Sequence, residues 1–188
     1  DEDSQLVVNS LREAGVQVSD IYDLVNGPTP REAVPVLVQL LPLLDNNPIK
    51  EGVIRALGDK AARGIAAGSL LAELKRLGGT KPLMGWAIGN ALAEIVQLRD
   101  FDEIRSLVRD SSLGKAREML VLALARTKHP DAVAELRELT REEALAGHVV
   151  MAIGELVARE LRPFVEQQLH STHAWVRKEA KKALRRLG

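Results

Sequence analysis

The residues able to carry chemistry are few and scattered. The chain has 188 residues, no cysteine and four histidines: His129, His148, His170 and His173. His170 and His173 stand three apart, a spacing that puts two imidazoles on one helical face where they could share a metal ion. The stretch LHSTHAW around them reads as the turn entering the last helix, and no third ligand is apparent. Turn capping is therefore the expected role, and no metal site is expected. There is no Gly-rich phosphate loop, nucleophile elbow or paired-histidine zinc helix. Carboxylates are plentiful, but pairing them for acid–base work requires a geometry that sequence does not supply. Without thiols, disulfide and thiolate chemistry are excluded. Neither an enzymatic activity nor a cofactor is expected.

Composition narrows the class further. Lys and Arg balance Asp and Glu at 26 each, so no global field draws the chain to DNA or to an anionic membrane. Hydrophobic residues make up 46% but aromatics only 3%, which leaves Leu, Val, Ala and Ile to form the core. The most apolar run, Val34 to Leu44, is shorter than the roughly 18 residues a membrane span needs. The opening DEDSQ is acidic where a secretory signal would be basic, so a cytoplasmic protein is expected, with an upstream segment able to have been trimmed.

The elements that must position any site are repeats. Ala56, Ala91, Ala123, Ala152 and Ala183 fall 35, 32, 29 and 31 residues apart. Seven residues before each lies Ile49, Met84, Ala116, Leu145 or Val176. Three before lies Val53, Ile88, Leu120, Val149 or Ala180, and just after lies Leu57, Leu92, Leu124, Ile153 or Leu184. Offsets 0, 4, 7 and 8 describe one face of an α-helix, so five helices carry one apolar stripe in one register. Each follows another apolar-periodic segment: AVPVLVQLLPLL, SLLAELKRL, FDEIRSLV, DAVAELREL and LRPFVEQQL. Pro48 and Pro82 sit at starts of second helices and Pro130 at the start of a first helix, where a missing N–H costs nothing. Pro42, inside a helical run, should kink or end it. Two more helices precede the array, roughly 4–14 and 19–25, with Ser19 as N-cap.

Units of about 31 residues with IKEGVIRALG, AREMLVLALA and above all WVRKEAKKALRRLG resemble short HEAT repeats of the kind found in phycobilin-lyase-like proteins. The resemblance covers about residues 30–188. AVPVLVQLLPLL, WAIGNALA and GKAREMLVLALA extend it to a bacterial HEAT-repeat family with no established biochemical activity. It implies an all-α, right-handed α–α superhelix of about five helix pairs behind an N-terminal helical pair. The expected boundaries are a cap over 1–28 and one array over 29–188, with repeats near 29–58, 61–97, 98–128, 129–159 and 160–188. The His-Glu dipeptides of HEAT hydroxylases are missing, which excludes that activity.

The resemblance also places the second helix of each pair on a concave side. Offsets 2, 5, 6 and 9 should then look into a groove. The middle repeats put small and apolar residues there, and the last repeat only cations. One reading closes that side, with glycines letting the helices approach. The other keeps it open for a peptide or partner helix, with Trp86 as anchor and Asn90, Glu118, Leu122, Met151 and Glu155 around it. The last helix adds a basic docking face of Arg177, Lys178, Lys181, Lys182 and Arg185. Residues 1–30 carry six acids and one Arg, net −5, while 175–188 carry six bases and one Glu, net +5. The expected function is a scaffold or protein-binding module, monomeric or weakly associating head to tail. The alternative is a nucleic-acid-binding protein with the architecture of HEAT-like DNA glycosylases, using the basic last repeat.

Overall fold

The computed structural model describes all 188 residues; 74% are helical and none lies in a strand, so the all-α expectation holds. Twelve α-helices follow one another: α1 (Glu2–Glu13), α2 (Tyr22–Val25), α3 (Ala33–Leu40), α4 (Asn47–Ala56), α5 (Ala67–Leu77), α6 (Pro82–Ile95), α7 (Phe101–Arg109), α8 (Ala116–Arg126), α9 (Ala132–Leu139), α10 (Ala146–Leu156), α11 (Arg162–Gln167) and α12 (Ala174–Leu187). No helix is long and apolar enough to cross a membrane.

Local chemistry explains the boundaries. Pro42 ends α3, and the chain continues as a tight 3-10 turn over Leu41–Leu43. The Asn46 side chain accepts from the Ile49 N–H at 3.2 Å and so caps α4, with Pro48 in its first turn. Ser19 does not cap a helix as expected. Its own N–H donates to Asp23 at 2.7 Å, Asp20 accepts from the Tyr22 N–H at 2.7 Å, and helix begins only at Tyr22. Asp20 thus takes the N–H that a Ser19 cap would have accepted, while Asp23 holds the backbone of Ser19 itself. Pro130 stands two residues ahead of α9 rather than at its start.

The chain forms two compact units. The first comprises Asp1–Val96 with Ser112–Ala116, the second Gln97–Ser111 with Arg117–Gly188. In the first, α1 packs on α3 and α2 on α4, so the N-terminal helices are built into the same core as the first repeats. There α6 packs on both α5 and α4. In the second, α10 packs on α9, α11 and most extensively on α12. Within each unit a second helix therefore meets its own first helix and the second helix of the adjoining pair, a helical-repeat-like arrangement.

The stripe is the core. Every residue at offsets 0, 4, 7 and 8 of α4, α6, α8, α10 and α12, counting the flanking Leu57 and Leu145, is buried except Leu184, which is half-buried. A fully buried Leu, Ile or Val there contributes about 2 kcal/mol against exposure. Glycine sets how closely second helices approach. A Cβ on Gly85 would sit 3.0 Å from the Ala116 methyl, and one on Gly154 would sit 3.1 Å from the Ala183 methyl. Ala for Gly would gain propensity in isolation, but here it would push the packed helices apart.

Ion pairs tie successive helices together. In the first unit, Lys50 on α4 and Glu73 on α5 meet at 2.7 Å with side chains only 2% and 3% exposed. Lys50 Nζ also donates to the Leu44 carbonyl at 3.0 Å. Burial alone would raise the Glu73 carboxyl, but hydrogen bonds from Arg76 and Lys50 outweigh it and hold the group below its ordinary value. In the second unit the pairs are Arg109–Glu135, Arg117–Glu142 and Arg126–Glu155, at 2.6, 2.7 and 2.9 Å.

Candidate functional site

Only part of each second helix stays open. Offset 5 was expected to face a groove, yet Ile54, Gly89, Val121 and Val150 are buried there; at offset 9, Ala93, Ala125 and Gly154 are buried as well. A helix covered on two flanks has a narrower free strip than a helix covered on one. What remains accessible runs along offsets 2 and 6. On α12, by contrast, Lys181 at offset 5 and Arg185 at offset 9 are exposed.

The expected contact residues separate accordingly. Leu122 is 3% exposed and belongs to the core, since the strip on α8 is closed at offset 6. Trp86 keeps 36% of its surface, with Leu83 one turn earlier on α6 at 78% and Asn90 one turn later part-exposed. Glu118 on α8 and Met151 and Glu155 on α10 are also part-exposed. Glu155 is held by Arg126, so its charge is already satisfied. Met151, Glu155 and Lys182 come together along a shallow cleft between α10 and α12.

The basic residues divide too. Arg177 is used structurally: its guanidinium donates to the carbonyls of Ser171 and Thr172 at 2.7 and 3.2 Å, clamping the turn into α12. Lys182 pairs with Glu179 at 3.6 Å. Lys178, Lys181 and Arg185 are exposed and make no ion pair. The acidic end is largely committed to backbone. Asp1 accepts from the N–H groups of Asp3 and Ser4, Asp3 from those of Asp45 and Asn46, and Asp20 and Asp23 close the turn into α2.

A groove of ≈ 960 Å³ lies in the second unit beside the turn into α12. Glu118, Glu143, Gly147, Phe164, His173 and Trp175 are among its walls. Trp175 is 47% exposed, and its six-membered ring rests on Gly147, where any Cβ would overlap it. His148 meets that ring edge-on at 5.4 Å. Burial pushes the His148 imidazole below its ordinary value, and the carboxylates of Glu118 and Glu179 pull the other way without overcoming it. His148 is therefore neutral at pH 7.

Turn capping is the expectation for His170 and His173, yet the imidazole that accepts a turn N–H belongs to His129. His129 accepts from the Asp131 N–H at 3.1 Å and stacks on Phe101 at 4.0 Å. His173 precedes α12 without a side-chain cap, its own N–H donating to Ser171 Oγ at 3.2 Å.

Trp175 and Gly147 escape sequence reasoning as site residues. The available signal was that Gly147 occupies offset 2, where other repeats place Glu51, Trp86, Glu118 and Lys178. A missing side chain at that point leaves a notch, and only the fold shows what fills it.

No family model and no curated protein matches the chain. Among solved structures it is similar to the crystal structure of an engineered protein, a Northeast Structural Genomics Consortium target. The TM-score is 0.52 at 21% identity, over 100% of this chain and 96% of that one. At that identity the likeness is one of fold.

Proposed function

We propose that the chain is a right-handed α-solenoid of HEAT type acting as a non-catalytic binding or scaffold module in the cytoplasm. Its partner is a protein or peptide, and the docking surface is the open strip of the second helices in the second unit. One observation carries this reading: the half-exposed Trp175, laid on Gly147, forms an apolar platform in a groove that nothing in the chain covers. A tryptophan in a partly desolvated concavity is the residue type and setting of interaction hot spots. Met151 continues the strip along α10, and Lys178 borders it on α12. Affinity purification from the native host with the wild type, Trp175→Ala and Met151→Asp tests the reading. A partner held by the wild type and lost by both variants, with melting curves unchanged, supports it. Identical partner sets for all three would eliminate it.

A second reading is favoured by the unpaired Lys178, Lys181 and Arg185, which suit the phosphates of a nucleic acid. Three phosphate contacts would make the logarithm of affinity fall with the logarithm of salt at a slope of about −3. Binding to duplex DNA that does not weaken with salt removes it.

A further inference from the structure

The groove beside α12 carries a chemical preference that reaches beyond a generic docking surface. Glu118 and Glu143 line it, and neither side chain makes a hydrogen bond or an ion pair. Other carboxylates of the same unit behave differently: Glu135, Glu142 and Glu155 each hold an arginine. Arg141, also in the wall, is engaged by Glu138 at 2.7 Å. The unpaired cations of α12, Lys178, Lys181 and Arg185, are not among the lining residues. The groove thus holds two uncompensated carboxylates next to a half-exposed indole. Glu118 and Trp175 both line this groove, and His148 meets the Trp175 ring edge-on.

A planar cation fits this combination better than any other side chain. A guanidinium stacks its face on an indole while its N–H fork meets a carboxylate, which the compact ammonium of lysine cannot do in one pose. The volume, ≈ 960 Å³, exceeds what one side chain fills and leaves room for the backbone on either side of it. Resting on the reading of the chain as a peptide-binding module, we propose that this groove takes an arginine side chain from an extended segment of the partner. The guanidinium stacks on Trp175, Glu118 accepts its N–H groups, and Glu143 adds a second negative charge at the mouth.

The full chain carries two tryptophans, which supplies an internal control. In ¹⁵N-labelled protein the indole N–H signals of Trp86 and Trp175 are distinguished with Trp86→Phe. The protein is then titrated with acetyl-Gly-Arg-Gly-amide and with the lysine and glutamine counterparts. The Trp175 signal moves saturably with the arginine peptide, several-fold less tightly with lysine and not with glutamine, while the Trp86 signal stays in place. Glu118→Gln weakens the arginine peptide about tenfold, as loss of one charge-assisted contact should. An unmoved Trp175 signal, equal response to the glutamine peptide, or unchanged affinity in Glu118→Gln overturns the assignment. If the purified partner is lost in Trp175→Ala while no arginine preference is found, the docking reading stands and the arginine assignment alone falls. If the arginine peptide binds as described and no partner depends on Trp175, the docking reading falls alone.

Discussion

The two units handle charge in opposite ways. The first buries its main ion pair, Lys50–Glu73, where neither partner meets solvent. On the exposed strip of α4, Glu51 and Arg55 satisfy one another at 2.6 Å. The second unit keeps its cross-helix pairs partly exposed and leaves Glu118 and Glu143 unpaired in a groove. Each unit also presents one half-exposed tryptophan, but with different company. Trp86 has Leu83 beside it on α6, whereas Trp175 lies on a glycine among carboxylates. Charge that is compensated inside an element serves the fold. Charge left over beside an aromatic is available for recognition.

Breaking the buried pair gives the largest expected effect. Lys50→Met leaves Glu73 buried with Arg76 as its remaining cation, and should cost about 3 kcal/mol, at the low end for disrupting a buried pair. The double variant Lys50→Met, Glu73→Leu should recover part of that loss, because the stranded charge is gone. Urea unfolding of the three proteins decides it. A single variant as stable as the wild type would show that Arg76 alone suffices.

A smaller effect in the opposite direction is expected in the second unit. Val157 ends α10 in the left-handed conformation, with φ 53° and ψ 43°, while 44% exposed. A β-branched side chain is disfavoured there, and little core contact holds it. Val157→Asn should raise stability by about 1 kcal/mol, read as a higher melting temperature. A lower one would mean that the Val157 side chain contributes packing that its exposure hides.

The smallest effect sharpens the contrast through pH. His148 titrates below its ordinary 6.5 in the folded chain. As pH falls through 6.5 the unfolded chain takes up the proton first, so the stability contributed by neutral His148 is complete above that pH and declines below it. His148→Gln should flatten the acid limb of the stability curve between pH 6.5 and the lower folded value. A wild-type slope that survives the substitution would assign the loss to other groups. Glu73 is the foremost of these, and its contribution declines only below its ordinary 4.5.

Much of the helical layout is legible in the residues. The stripe at offsets 0, 4, 7 and 8 is buried in all five second helices but for Leu184, because a 3.6-residue period is written directly into the chain. Pro42, Asn46 and Pro48 mark helix ends through chemistry confined to a few neighbours. The candidate site is far less legible. Glu118 is accessible and Leu122, four residues on, is not; nothing in MLVLALA distinguishes a closed strip from an open one. The acids of residues 1–30 look like a charged patch in composition, yet Asp1, Asp3, Asp20 and Asp23 accept backbone N–H groups.

The sequence by itself determined the all-α class, the register of the five-fold stripe and the helix ends at Pro42 and Pro48, all of which depend on residues within one or two turns. WVRKEAKKALRRLG is in this sense a fifth copy of a motif, with Val176, Ala180, Ala183 and Leu187 buried as the pattern requires. Only the tertiary structure decided which flanks of a helix are covered, which carboxylates find a cation, and that Trp175 lies across Gly147. Those outcomes depend on neighbours some twenty-five or more residues away, and a linear pattern carries no record of which side such a neighbour occupies.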